Sequence, residues 1–421
     1  MTNRTIKNLY PSDWIEYKFD DLFEFEGGMS LSRAKLSDEG ICYLHYGDIH
    51  KSNVNYIDVD NKLEEIPKYN TTLDNIKDKY LLRNGDIVFA DASEDYESIG
   101  KSIVVINKSN TPFISGLHTI TAKDKTDLLD NTYKRYFLLD WNIRKQIMVL
   151  STGISVLGIN KGNLKTVRVL LPPLKEQSKI GRILSTWDKA IELKEKLIEQ
   201  KKEQKKGLMQ KLLTGEVRLP GFEGEWKQIK LGKLVKLQGG YAFKSSEFRQ
   251  EGIPIIRISN IVPEITDYEQ EFVYYDKIDI SENFLVKTGD ILIAMSGATT
   301  GKVGIYKKNE IAYLNQRVGK FVNLEGKSLD YDFLYYLVKS PMFELQLMEE
   351  LSTGAQPNIS SKQIENFRFR IPSLEEQEGI SSILKQIDKS ISLQKKEIGL
   401  LVKQKKGLMQ LLLTGKVRVK V

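Results

Sequence analysis

The sequence predicts an α/β (α+β) fold: two similar globular domains separated by two long helices that form an antiparallel coiled coil, a pseudo-two-fold internal repeat. Three observations predict it. Short motifs recur at a fixed offset of 200 residues. The segments between those motifs carry apolar residues at seven-residue spacing. The regions before them hold short β-rich runs that match between copies at a drifting offset. Self-similarity over so long a period identifies a duplicated structural unit.

The fixed offset is read from three motifs. Pro172-Pro173-Leu174-Lys175-Glu176-Gln177 returns as Pro372-Ser373-Leu374-Glu375-Glu376-Gln377. Lys205-Lys206-Gly207-Leu208-Met209-Gln210 returns unchanged at 405–410, and Leu212-Leu213-Thr214-Gly215 at 412–415. The looser matches pair Trp14 with Trp226, Gly27-Gly28 with Gly239-Gly240, Gly85-Asp86-Ile87 with Gly289-Asp290-Ile291, Gly100-Lys101 with Gly301-Lys302, and Ser151-Thr152-Gly153 with Ser352-Thr353-Gly354. Their changing offset places loops of different length on one scaffold.

The constant segments read as helices. Each opens after proline and stops at Thr-Gly. At about 1.5 Å per residue such a segment spans roughly 60 Å. One seam runs Leu184, Ile191, Ile198, Leu212 and, in the second copy, Leu384, Ile391, Ile398, Leu412, with Lys205 and Lys405 interrupting. A second runs through Ile180, Trp187 and Leu208, matched by Ile380, Ile387 and Leu408. This a/d pattern with polar breaks fits a coiled coil in which the two copies pair with each other. Gly207 and Gly407 are expected to mark a kink or a close helix approach. Packing of each helix on its own domain is the plainer alternative.

The preceding regions alternate β-rich runs such as Ile253–Ile258 and Asp86–Ala90 with turn residues. Val167–Leu170 and Phe367–Arg370 read as the last strand before each helix. Tyr133–Val149 and Tyr331–Glu350 read as helices. Trp14 and Trp226, each opening a first strand, read as core anchors.

Composition excludes several classes. With 41% hydrophobic residues among 421, the chain can fill real cores. No window approaches a membrane span of roughly 18 apolar residues. The polar N-terminus carries no secretory pattern, so the cytoplasm is expected. The single Cys42 excludes an internal disulfide and a Cys-rich zinc site, and the three histidines, His45, His50 and His118, form no HxxxH or HExxH pair. The net charge of +7 lies wholly in the helices: 173–214 holds 11 Lys/Arg against 6 Asp/Glu, and 373–414 holds 7 against 5.

No complete catalytic motif is found. Ser296–Val303 has the outline of a phosphate loop but lacks its first glycine and its Ser/Thr after lysine. Asn110-Thr111-Pro112-Phe113 lacks one proline of the adenine-methyltransferase motif Asn-Pro-Pro-Phe, and no glycine-rich cofactor loop precedes it; it reads as an interrupted β-loop. Asp91, Glu94 and Asp95 have no acidic counterparts in the second copy and read as a solvated loop.

The paired repeat, the Leu171–Gln177 opening, the Lys-Lys-Gly-Leu-Met-Gln and Leu-Leu-Thr-Gly closings, Gly85–Asp95 and Gly297–Gly304 together resemble the specificity (S) subunit of type I restriction-modification enzymes, over essentially the full length. The resemblance implies a target recognition domain at 1–170, a central helix at 171–215, a second recognition domain at 216–370 and a C-terminal helix at 371–421. It implies partners: double-stranded DNA read as a bipartite site, two methyltransferase (M) subunits and the restriction (R) translocase/nuclease subunits. It implies no cofactor of the chain's own, S-adenosylmethionine, ATP and Mg²⁺ belonging to the partners, no catalysis, no membrane, and a cytoplasmic location on the nucleoid through DNA.

Loop side chains suited to base edges or phosphates are the candidate DNA contacts. In the first domain these are Ser32, Arg33, Lys35, Ser93, Tyr96, Lys101, His118 and Ser155. In the second they are Tyr241, Lys244, Ser245, Thr299, Thr300, Lys302, Gln316, Arg317, Gln356 and Asn358. The domains are electrically neutral, so charge must segregate onto one face or the partners must supply much of the phosphate grip. Two other classes stay open. One is a standalone methyltransferase, which S-adenosylmethionine binding would reveal. The other is a scaffold bridging two proteins without base readout, which a footprint of the complex would separate.

Overall fold

The structure, a computed structural model, describes residues 10–265, 271–326, 329–352 and 357–420. It divides into two compact units: Met1–Glu195 with Lys396–Val421, and Lys196–Lys395. Each unit therefore contains one globular domain, half of the central helix and half of the C-terminal helix.

The same sheets are built twice. In the first unit a five-stranded sheet has the order Phe23–Gly27, Thr119–Asp124, Ile87–Ala90, Ser102–Ile106, Tyr56–Asp58. All neighbours are antiparallel except the last pair. The second unit repeats it as Val235–Gly239, Val318–Asn323, Ile291–Ala294, Val303–Tyr306, Glu264–Ile265, again with a parallel last pair. Side chains alternate across a strand, and here both faces are buried. Ile87 and Phe89 enter one core, Val88 and Ala90 another. Ile291 and Ile293 divide from Leu292 and Ala294 in the same way. That is why these strands are wholly apolar.

A four-stranded sheet covers part of the other face. Its parallel pair, Ile41–Leu44 with Phe113–Ser115, returns as Ile253–Ile256 with Ala312–Leu314. The edges differ. Leu285–Val286 forms a strand against Tyr313, whereas the first unit has only an isolated Leu81–Ile114 bridge and adds Leu36–Ser37 elsewhere.

The expected single helices before each last strand are broken in two: Asn131–Phe137 and Trp141–Leu150, Tyr331–Leu337 and Pro341–Leu351. The cause is a capping residue in mid-run. Asp140 accepts from the Asn142 N–H at 2.6 Å, and Ser340 from the Phe343 N–H at 3.3 Å with Pro341 as the first helical residue. The strands ahead of the long helices begin one residue later than expected, at Arg168 and Arg368.

The long helices span Leu174–Thr214 and Leu374–Leu413. Gly215 at φ +73° and Gly415 at φ +67° terminate them in the left-handed region. The Glu-Gln of each opening motif is fully buried. Gln177 accepts from the Asp130 N–H and donates to Pro172 O, and Gln377 does the same with Asp330 and Pro372. Glu176 takes a two-pronged pair from Arg418, and Glu376 from Arg218, at 2.6–2.8 Å. The opening of one long helix is thus clamped to the exit of the other within each unit.

Within each unit the helix halves run antiparallel. In the first, Lys194 meets Glu397 and Asp188 meets Lys405. In the second, Lys201 meets Ser390 and Lys205 meets Asp388. The lysines that interrupt the apolar seam are therefore its register pins. Lys205 lies 2.7 Å from both Asp388 oxygens, and Tyr336 donates to the same carboxylate at 2.9 Å. Lys405, Asp188 and Tyr136 repeat the arrangement.

The seam itself is shared with the domains. Ile198 and Ile391 are buried, and Trp187, Ile191, Ile387 and Ile398 are half-buried. Leu184 and Leu412, with Leu408 beside them, enter the first domain's core; Leu212 and Leu384, with Leu208, enter the second's. The helix ends thus pack on globular cores as well as on each other. Trp14 is buried as expected, while Trp226 is half-buried and donates its Nε1–H to Glu376. Gly207 and Gly407 correct another expectation: a Cβ at either would meet nothing within 4 Å, so neither marks a close approach.

Two outcomes are expected from unfolding measurements. Lys405→Ala leaves Asp188 and the Tyr136 hydroxyl half-buried without their cation, and should lower stability by about 1–3 kcal/mol in urea titration. At Gly301, with φ +87°, a Cβ would lie 2.1 Å from Leu347 Cδ2. Gly301→Ala should therefore lower the melting temperature, while Gly207→Ala should raise it through a helix-propensity gain of about 1 kcal/mol.

Candidate nucleic-acid interface

At one end of each five-stranded sheet, four loops are joined by backbone hydrogen bonds. In the first unit Met29 N–H donates to Ser115 O, Asp91 N–H to His118 O, Ile159 N–H to Asp91 O, and Gly116 N–H to Leu44 O. In the second, Tyr241 N–H donates to Leu314 O, Met295 N–H to Arg317 O, Ile359 N–H to Met295 O, and Asn315 N–H to Ile256 O. The two sets superpose bond for bond. They make Asp91 the counterpart of Met295, and His118 the counterpart of Arg317. The glycine pairs allow this closeness: a Cβ on Gly28 would lie 1.8 Å from Gly116 O, and one on Gly240 2.2 Å from Asn315 O.

The first unit gathers all three histidines around Tyr46. Ring centroids lie 4.6 Å away for His45, 6.0 Å for His50 and 5.3 Å for His118. His45 caps the helix Tyr46–Lys51, its Nδ1 accepting from the Gly47 N–H at 3.1 Å. That bond requires a neutral ring with its proton on Nε2. Burial holds the His45 pKa below the usual imidazole value, with Arg33 and His118 adding to the effect and Asp48 opposing it. His50 donates Nε2–H to Ala92 O at 2.8 Å. His118 sits at φ +55°, a strained position for a residue other than glycine. Its Nδ1 lies 3.2 Å from Asp91, whose carboxyl pKa is raised by burial. Asp91 is thus bound to an imidazole, while Glu94 and Asp95 are exposed as expected.

The chain matches the family model described as "Type I restriction modification DNA specificity domain" twice, over residues 11–202 and 223–402. The chain belongs to the type I restriction-modification specificity-subunit family. Among relatives, it is similar to the type I restriction enzyme MjaVIII specificity subunit of Methanocaldococcus jannaschii, 33% identical over 72% of this chain and 73% of that one. The putative type I restriction enzyme MjaX specificity subunit of the same organism is 29% identical over 97% and 95%. The fold of the present chain is similar to that of the S subunit of a type I restriction-modification system from M. genitalium, with a TM-score of 0.54 at 17% identity over 98% and 97% of the chains.

On this specificity-subunit scaffold the loop candidates fall into two groups. Ser32, Arg33, Lys35, Tyr96, His118 and Ser155 are exposed in the first unit, and Tyr241, Lys244, Ser245, Lys302, Gln316, Arg317 and Asn358 in the second. Four others spend their polar atoms inside the loops. Ser93 is buried and accepts from the Asp95 N–H. Lys101 donates to His50 O and Ser52 O at the end of a helix, and burial lowers its pKa. Thr300 donates to the carbonyls of Gly297 and Pro357, and Thr299 lies 3.4 Å from Ile258 O. Gln356 lies outside the described residues.

Tyr46 and Arg257 also stand at this loop end, and neither lies in a sequence motif. Arg257 holds the place of His45: the backbone N–H of each donates to a side chain three residues on, Asn260 and Asp48 respectively. Its Nε is buried with no hydrogen-bond partner among the described residues. The only sequence signal for Tyr46 was His45 beside it and His50 four residues on, in a chain with three histidines.

The neutral cap at His45 has a pH consequence. A pKa depressed in the folded state means that the unfolded chain binds the proton more readily, so stability is lost as pH falls below about 6.5. In His45→Asn, which caps without titrating, that component should vanish. The urea midpoint of wild type should fall more than that of the variant between pH 7.5 and pH 5.5.

Proposed function

We propose that the chain is the DNA sequence-recognition subunit of a type I restriction-modification complex, each globular domain reading one half of a bipartite site. One observation supports this above the rest: the same four-loop end is built twice on matched backbone, with different side chains exposed on it. Duplicate scaffolds with divergent surfaces suit two different sequences presented to two identical enzymes. In this reading the long helices set the distance between half-sites and dock two methyltransferase subunits, and restriction subunits join that core. The chain itself performs no chemistry. S-adenosylmethionine, ATP and Mg²⁺ are bound by the partners, which also supply part of the phosphate grip that neutral domains lack. The complex acts in the cytoplasm, on the nucleoid.

Domain replacement tests the reading. With residues 216–370 exchanged for those of another family member, mapping of methylated genomic sites should show one new half-site and one retained. A simultaneous change in both would contradict one domain per half-site.

Spacing provides a separate test. Each lysine–aspartate pin ties one helix to the other, so four residues must be added to both, within 196–203 and 393–403, to keep the pins in register. Four residues add about 6 Å and nearly one turn, against about 3.4 Å per base pair. The spacer in the mapped sites should lengthen by one or two base pairs with both half-sites retained. An active complex with an unchanged spacer would show that the helices are not the ruler.

A further inference from the structure

We infer that the two domains read their half-sites with different chemistry from matched positions, and that the second domain makes a guanine contact through Arg317 and Arg257. This rests on the proposed DNA-reading role and deepens it. His118 and Arg317 are equivalent by backbone bonding, since the Asp91 N–H donates to the first residue's carbonyl and the Met295 N–H to the second's. His45 and Arg257 are equivalent as first residues of the turn that follows the parallel strand, the backbone N–H of each donating to the side chain three residues on. Leu44, before His45, accepts from Gly116; Ile256, before Arg257, accepts from Asn315. Each pair therefore flanks the same loop junction.

The side chains at these places diverge as a set. The first domain holds His118 against the Asp91 carboxylate, with the Tyr46 ring edge-on to it at 81°. With Nδ1–H committed to Asp91, the free edge of His118 is a single Nε2. A single nitrogen makes one hydrogen bond and cannot form a two-pronged contact. Asp91 is thus a positioning residue for His118.

The second domain has apolar Met295 and Ile258 where the first has Asp91 and Tyr46. Among the described residues no acidic side chain pairs with either arginine there: Arg317 is exposed, and the Nε of Arg257 is buried without a hydrogen-bond partner. The buried Nε of Arg257 is closed to an incoming base, so a base edge can be met only by its other guanidinium nitrogens. A planar guanidinium fork matches the O6 and N7 acceptors of guanine in the major groove better than any other base edge. The half-site read by the second domain should therefore contain a required G·C pair.

The test uses the full chain assembled with its methyltransferase subunits, and maps methylated sites in genomic DNA. Domain replacement first assigns each half-site to its domain. Arg317→Gln and Arg257→Gln should each reduce discrimination at one G·C pair of the second half-site by about ten- to hundredfold, with the first half-site intact. His118→Asn, which keeps a residue tolerant of positive φ, should alter preference at one pair of the first half-site only, and Asp91→Asn at that same pair. A second half-site with no required G·C pair would overturn the inference, as would full discrimination retained by Arg317→Gln. Arg317 is exposed, so its variant carries the test if Arg257→Gln fails to fold. A wild-type complex that methylates no bipartite site would instead refute the proposed function itself.

Discussion

Much of the architecture depends on a lysine from one long helix meeting an aspartate from the other beneath a tyrosine hydroxyl. The set occurs twice, as Lys405–Asp188–Tyr136 and Lys205–Asp388–Tyr336. Each carboxylate is thereby bound by a helix partner and by its own domain at once. An apolar seam alone tolerates sliding by a heptad; a polar group at a core position that must find its partner does not. The same contact fixes the helix against the domain, because the tyrosine comes from the short helix packed beneath it. The buried carboxylates of Glu176 and Glu376, paired with the more exposed Arg418 and Arg218, secure the helix mouths in the same way. Removing a single partner would leave a charge in a half-dry site, and that is more costly than the pair is favourable.

With the frame held so firmly, surface loops are free to differ. The backbone that carries them keeps its glycines where a side chain would collide. Gly28 and Gly240 lie under the loop junction, and Gly100 and Gly301 lie against Ile147 and Leu347. At the exposed end, Asp91, His118 and His45 give way to Met295, Arg317 and Arg257. A duplicated scaffold with divergent tips separates what must persist for folding from what can vary for recognition.

The repeat, both long helices and their glycine stops were legible because they rest on local signals: identical hexapeptides, seven-residue spacing, and Pro and Gly punctuation. The register pins were not. Lys205 and Lys405 read as defects in a seam, since their aspartates lie 183 and 217 residues away along the chain. The seam residues near the helix ends read as helix–helix contacts, yet Leu184, Leu212, Leu384 and Leu412 also fill domain cores. Periodicity reports which face is apolar, not what covers it. At the loop end, loop position and residue type made His118 and Arg317 candidates, but not Arg257, which reads as part of the β-rich run Ile253–Ile258. Lys101 and Ser93 had the right chemistry and were already used: one by the carbonyls closing a helix, the other by a turn N–H.

The central claim is that the two loop ends face different halves of one DNA site. Photocrosslinking tests it most directly. A photoreactive residue is placed at Tyr96 in the first domain or Lys244 in the second, both exposed and outside the cores, and the assembled complex is irradiated on a DNA duplex carrying its mapped site. The account predicts crosslinks from position 96 in one half-site and from position 244 in the other. Crosslinks from both positions in the same half-site, or none to DNA from either, would contradict it.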